Sequence, residues 1–114
     1  MGIDVTLMKL THQGTSPRHR QLEQAGPPVH DDHDTWARLV TRTHHIDGLP
    51  MLKRIDPYRD LLLTSVEMPQ LLEELTALRP LAQTPAEHEI LTRIERLAAE
   101  CQSDPRLELH LTGD

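Results

Sequence analysis

Residues 84–112, TPAEHEILTRIERLAAECQSDPRLELHLT, decide the fold because they join the clearest helix start in the chain to its clearest strand. Thr84 is a typical N-cap residue, Pro85 suits the first helical turn, and Glu87 stands three residues after the cap, as in a capping box. Apolar residues then recur at helical spacing as far as Cys101. The pattern predicts a long amphipathic helix that ends at a Ser-Asp-Pro turn.

The segment after that turn alternates leucines with polar residues over 106–112 and predicts a strand. Its leucines share one face, while Glu108 and His110 share the other. Residues 3–10 show a similar alternation with β-branched residues and predict another strand. Residues 61–66 form a short apolar run of strand length, which we expect to be antiparallel to 106–112 where the two are neighbours.

Two further segments complete the predicted elements. Pro69 and a stripe of leucines predict a helix that ends before Pro80, so two consecutive helices form a hairpin. Residues 35–43 fit both a strand and a short helix, because their apolar residues satisfy both periods. The element order predicts an α+β fold: a small sheet of three to four strands packs against the helical hairpin, and its other face is partly wet.

Residues 11–34 interrupt this pattern. They are mainly polar and follow neither the helical nor the strand period. Long segments of this kind are usually functional or disordered, and disorder is the simpler interpretation. We therefore expect residues 1–114 to form a single α+β domain with a polar loop at 11–34, and one aliphatic core with little room for a deep pocket.

Composition narrows the classes of function. The whole net charge of −6 arises in residues 57–114, which hold five basic and eleven acidic side chains, and this argues against a nucleic-acid partner. The chain shows no apolar stretch of membrane-spanning length and no leader pattern, so we expect a cytoplasmic protein without a membrane partner. Cys101 is the single cysteine, and we expect a buried, inert thiol.

Histidines and aspartates cluster in the first half of the chain. Neutral imidazole and carboxylate groups suit zinc, and a catalytic zinc site needs three protein ligands with one open position. A small metal-binding protein or metal-dependent enzyme is therefore the alternative function. The competing interpretation is a set of solvated surface residues, because nothing in the sequence fixes them in place. The candidate ligands are His30, His33, His44, His45 and Asp47.

A protein-binding role is the first hypothesis. Nucleophile-elbow and glycine-rich phosphate motifs are missing, so we expect a non-enzymatic protein that needs no cofactor. The glutamates of the helical hairpin form an acidic face that is either solvated or steers a basic protein partner, as in immunity or accessory proteins. The open sheet face is the other candidate surface, and it could also close a homodimer. The candidate interaction residues are Tyr58, Arg59, Glu73, Glu74 and Glu95.

Four short segments carry a family resemblance. They are residues 1–5 (MGIDV), 54–60 (RIDPYRD) and 68–74 (MPQLLEE), and the closing Gly113-Asp114. Together they resemble a family of small uncharacterised actinobacterial proteins, over most of the chain outside residues 11–34. The excess of arginine over lysine, ten to two, agrees with a GC-rich genome. The family carries no established activity, so the resemblance implies a source and not a function.

Overall fold

The computed structural model describes residues 2–12 and 21–113, which form four strands and three helices. The strands are β1 (Ile3–His12), β2 (Gln21–Gln24), β3 (Asp60–Thr64) and β4 (Leu107–Gly113). The helices are α1 (Thr35–Thr43), α2 (Met68–Leu78) and α3 (Pro85–Gln102). Short 3-10 helices follow at Leu52–Arg54, Ser65–Glu67 and Arg79–Leu81. The α+β fold predicted from the sequence is confirmed.

The sheet is antiparallel throughout and has the strand order β2-β1-β4-β3. Its two central strands are the first and the last, since Ile3 lies opposite Gly113 and Lys9 lies opposite Leu107. β3 pairs with β4, so the antiparallel arrangement predicted for these two segments is confirmed. Within the described residues, β2 and β3 are the edge strands.

The helices cover one face of this sheet. Inward residues of β1 and β4 alternate with outward ones, and α2 and α3 pack against each other over them, with α1 packed against α3. The core is aliphatic apart from Trp36, whose fully buried indole N–H has no hydrogen-bond partner in the described part of the chain. None of the helices described is long and apolar enough to cross a bilayer.

The opposite face of the sheet is mostly half-buried or exposed, as the sequence predicted. Glu108 is the exception on this face, with 9% of its surface exposed and His110 Nε2 3.3 Å from its carboxylate. The strand register sets the open-face side chains in rows across β1, β4 and β3. The rows are Asp4–Thr112–Asp60, Thr6–His110–Leu62 and Met8–Glu108–Thr64.

The ambiguous residues 35–43 form a helix, and a buried carboxylate explains the choice. Asp31 accepts hydrogen bonds from the amides of Trp36 at 3.0 Å and Ala37 at 2.9 Å, so it satisfies free N–H groups of the first helical turn. The residue at the usual capping position, Asp34, has a left-handed φ of 57° and its side chain makes no capping bond. The same Asp31 carboxylate accepts a bond from the Ile3 amide at 3.0 Å and so joins α1 to β1.

The expectation that residues 11–34 lack regular structure is corrected at residues 11–12, which belong to β1, and in the second half of the segment. Gln21–Gln24 form β2 against β1, although Leu22 is the one apolar residue of this strand. At a sheet edge, hydrogen bonds between the two backbones hold such a strand without an apolar face. Val29 then forms an isolated bridge with Val5, with both backbone hydrogen bonds made. Residues 13–20, also part of the predicted loop, lie outside the described residues.

Candidate functional site

β3 has an edge that no described strand covers. The amide of Gly113 donates to the carbonyl of Arg59 over 3.2 Å, which fixes the odd-numbered residues of this segment as the ones that bond to β4. Antiparallel pairing alternates along a strand. The N–H and C=O groups of Asp60, Leu62 and Thr64 therefore point away from β4, toward the open edge.

One of these outward amides is occupied within the chain. Thr64 and Glu67 form a reciprocal capping box, in which the Glu67 carboxylate accepts the Thr64 amide at 2.9 Å. This bond and the Arg54 guanidinium, 2.7 Å away, hold the pKa of Glu67 below its ordinary value. Within the part of the chain that the structure describes, the outward amides of Asp60 and Leu62 remain for a partner strand.

Exposed apolar side chains concentrate on the same segment. Among the described residues, the large hydrophobic side chains that are exposed are Tyr58 at 63%, Leu62 at 39% and Val66 at 84%. They lie before, within and after β3, and we call residues 58–66 the edge segment. Single exposed apolar residues are ordinary on protein surfaces, whereas a group of them along an unpaired strand indicates an interaction site.

The turn before β3 holds Tyr58 out in solvent. The Asp56 carboxylate accepts the amide of Tyr58 at 2.9 Å, and the Asp56 carbonyl accepts the amide of Arg59 at 3.1 Å. Gly113 packs so closely on this turn that a Cβ there would overlap the carbonyl of Pro57. Arg59 is exposed as expected, and its guanidinium lies 3.8 Å from Asp56. Tyr58 and Arg59 thus keep the accessibility that an interaction residue needs.

Three of the segments that carry the family resemblance meet at this end of the sheet. Ile3 pairs with Gly113, and Gly113 contacts the turn of residues 56–59. A second close approach lies beside them, because a Cβ on Gly2 would overlap the carbonyl oxygen of Asp31. The glycines at both positions therefore have a packing reason that the sequence alone does not reveal.

A groove of about 420 Å³ runs between α1 and the turn before β3. Tyr58 and Pro57 line one side, and Ala37, Arg38 and Arg42 line the other. Both guanidinium groups have partners inside the protein: Arg38 donates to the carbonyl of His33 at 2.7 Å, and Arg42 lies 2.9 Å from the carboxylate of Glu87. Both arginines are therefore engaged within the protein, and the groove is not a free cationic site for an anion.

The predicted acidic face of the hairpin is corrected at Glu74. Its side chain is buried, with 2% of the residue exposed, because it accepts the amides of Met51 at 3.0 Å and Leu52 at 2.8 Å. Gln70 donates to the same carboxylate at 2.6 Å. Glu74 thus caps the short helix at Leu52–Arg54 and cannot reach a partner, whereas its neighbour Glu73 is exposed.

Two other glutamates of the hairpin are used inside the protein. Glu95 is half-buried, and its carboxylate accepts a hydrogen bond from Arg79 at 2.9 Å. Glu87 is buried against Arg42 rather than turned outward. The exposed acidic residues left on the hairpin are Glu73, Glu89 and Glu100, so this face is less acidic than the sequence suggested.

The candidate zinc ligands fall into two groups that α1 separates. His30 and His33 precede the helix, and His44, His45 and Asp47 follow it. A nine-residue helix is about 13 Å long, so the two groups lie at opposite ends of α1. The five residues therefore do not form one site, and no three histidine, cysteine or carboxylate side chains of residues 2–12 and 21–113 lie together as a metal site.

Cys101 is fully buried, as predicted, and burial together with the Glu108 carboxylate raises the pKa of its thiol to about 11. The reactive form of cysteine is the thiolate, which is scarce at neutral pH with such a pKa. The inert thiol expected from the sequence agrees with this environment.

Sequence reasoning missed Leu62 and Val66, because it took residues 61–66 as one apolar run of strand length without assigning its residues to the two faces. The signal that separates them is the Thr64-x-x-Glu67 capping pattern, which ends the strand at Thr64. Comparison of the chain with protein-family models, with curated proteins and with solved structures found no match. The resemblance to the actinobacterial family therefore stays a prediction.

Proposed function

We propose that this protein is a non-enzymatic, cytoplasmic binding module whose protein partner adds an extended strand to the open edge of β3. One observation carries the proposal: the outward amides of Asp60 and Leu62 coincide with the three exposed large apolar side chains of the edge segment. In strand addition, main-chain hydrogen bonds supply affinity and alternate side chains supply specificity. The edge segment offers both kinds of contact.

The sheet edge has stronger support than the helical face. Edge strands of proteins that do not pair this way are commonly protected by lysines, prolines or inward charges. Within its DLLLT sequence β3 has no lysine or proline, and its one charged residue is Asp60 at the first position. The glutamates Glu74, Glu87 and Glu95 of the helical hairpin, by contrast, are used for contacts with other parts of the same chain.

The short edge also limits the strength of binding. β3 has five residues, and two of its outward amides are open to a partner. A strand of this length buries less than the roughly 1,200 Å² at which stable interfaces begin. We therefore expect a transient complex with an affinity in the micromolar range.

Capture with three matched baits tests the proposal. The baits are the wild-type protein, Leu62→Pro, which removes an outward amide, and Thr112→Lys, which changes the same sheet face on a central strand. Proline is tolerated where an edge-strand amide faces solvent, so β3 should keep its bonds to β4. Support requires a protein, an endogenous copy of this chain included, that wild type and Thr112→Lys retain and Leu62→Pro releases. Equal retention by all three baits, or no specific capture at all, contradicts strand addition.

A further inference from the structure

We infer that the partner strand at this edge is β3 of a second copy of the chain, paired antiparallel about a two-fold axis at Leu62. The inference rests on the proposed function, because it identifies the strand that the edge accepts. Two-fold interfaces are self-complementary, so the surface of one copy must fit itself. The edge segment meets that condition in its spacing, in its charges and in its free amides.

The spacing of the exposed apolar residues is symmetric. Tyr58 and Val66 each stand four residues from Leu62, on opposite sides. Antiparallel pairing about Leu62 therefore sets Leu62 opposite Leu62 of the second copy. It also brings the turn that holds Tyr58 of each copy to the same end of the strand pair as the 3-10 helix that holds Val66 of the other. Leu62 acquires an apolar neighbour in this arrangement, and the exposed Tyr58 and Val66 of the two copies come to the same ends of the joined strands.

The charges fit the same register. Asp60, the one charged residue of β3, lies opposite Thr64 of the second copy, so no two like charges face each other within the paired strands. Moving the axis from Leu62 to Asp60 would instead place two carboxylates directly opposite, which destabilises a strand pair.

The free amides also favour the axis at Leu62 over a shift in the other direction, because the axis at Thr64 would lose both bonds of its central pair. An axis at Thr64 would need the Thr64 amide, which the Glu67 carboxylate already occupies at 2.9 Å. About Leu62, each Leu62 amide reaches the carbonyl of its counterpart, and each Asp60 amide reaches a Thr64 carbonyl. The Thr64 amides keep Glu67 as their acceptor, so each flanking pair forms one bond while the central pair forms both. Two four-stranded sheets would then join into one continuous sheet.

Cysteine cross-linking tests the position of the axis. Leu62→Cys puts two thiols opposite each other on the axis, within the Cα separation of up to about 7 Å that a disulfide allows. Asp60→Cys is the matched control, because two residues 60 would lie four strand steps apart, about 13 Å. We expect a cross-linked dimer on mild oxidation of Leu62→Cys and none for Asp60→Cys or for the wild-type protein, whose Cys101 is buried. Cross-linking of both variants to the same extent, or of neither, overturns the inference.

Sedimentation equilibrium tests the dimer itself. We expect a monomer–dimer equilibrium for wild type and for Thr112→Lys, and a dissociation constant raised at least tenfold by Leu62→Lys, which sets two like charges on the axis. Leu62→Lys retains the backbone amide that Leu62→Pro removes, so it still tests the dimer if Leu62→Pro fails to fold. Circular dichroism checks that each variant is folded. A wild-type protein that stays monomeric at millimolar concentration, or a dimer that Leu62→Lys leaves unchanged, overturns the inference. Capture of a different protein through Leu62 would then still support the proposed function.

Discussion

The guanidinium of Arg42 lies 2.9 Å from the carboxylate of Glu87, and this ion pair joins α1 to the first turn of α3. Glu87 also accepts the amide of Gln83 at 2.6 Å, while its own amide donates to the Thr84 hydroxyl at 3.2 Å. The predicted capping box is thus confirmed in its threonine half, and the glutamate half reaches Gln83 instead of Thr84. The hydrogen bond from Arg42 is the main cause that holds the pKa of Glu87 below its ordinary value, with burial opposing it.

Glu87→Gln should destabilise the protein by about 2 kcal/mol at pH 7, because hydrogen bonds to a charged group are among the stronger ones. A lowered pKa means that the carboxylate stabilises the fold above the ordinary value of 4.5, and that this contribution is lost as the pH falls through the folded pKa. Urea denaturation followed by circular dichroism at several pH values between 3 and 7 measures both effects. Wild type should lose more stability than the variant on acidification, and parallel pH profiles would contradict the role of Glu87.

Glu74→Ala should destabilise the protein by about 3 kcal/mol, since it leaves the amides of Met51 and Leu52 without their acceptor. Glu73→Ala is the matched control on the same helix, and its exposed side chain predicts a change within about 0.5 kcal/mol. Urea denaturation of the two variants compares them directly. Similar small losses for both would return Glu74 to the surface role that the sequence suggested.

Asp31→Ala should be destabilising by about 3 kcal/mol, because three amides, those of Ile3, Trp36 and Ala37, lose a charged acceptor. Its exposed neighbour Asp32 provides the control variant, Asp32→Ala, with little expected effect. Thermal melting monitored at a helical wavelength is the measurement. If Asp31→Ala left the melting temperature unchanged, the hydrogen bonds that Asp31 accepts from the first turn of α1 would not be needed for the stability of the helix.

Gly113→Ala should destabilise the end of the sheet by about 2 kcal/mol, because the overlapping atom is a backbone carbonyl of Pro57 that cannot swing aside. Thr112→Ala, at an exposed neighbouring position, should cost much less. Amide hydrogen exchange locates the effect, and we expect faster exchange at Arg59 and Leu61 in the glycine variant. Unaltered exchange there would show that the turn moves freely.

Zinc should leave the melting temperature of the wild-type protein within about one degree of its value in EDTA, because α1 separates the candidate ligands into two groups. His30→Ala and His44→Ala test one group each. A rise of several degrees with zinc that either substitution abolishes would restore the metal-binding hypothesis.

Elements with local signals could be predicted from the sequence, and elements decided by distant partners could not. The capping threonine and the leucine alternation define α3 and β4 within a few residues of themselves. Glu74 has the pattern of a surface residue on its own helix, and its burial depends on amides 22 and 23 residues earlier. The position of β3 at the edge follows from the pairing of β1 with β4, and no short stretch of sequence encodes that pairing.

The candidate site divides in the same way. Tyr58 and Arg59 could be predicted as exposed because Asp56 and Pro57 form a recognisable local turn. Leu62 is one of three consecutive leucines, and which of them faces solvent depends on the register against β4.

The pairing of Ile3 with Gly113 also constrains how the protein folds during its synthesis. The central contact of the sheet closes a loop of nearly the whole chain, and contacts of such long sequence separation form slowly. On the ribosome, β1 has to wait without its central neighbour until β4 has left the exit tunnel. The sheet therefore cannot be completed before β4 emerges, and until then the unpaired edge of β1 is accessible to proteases and chaperones.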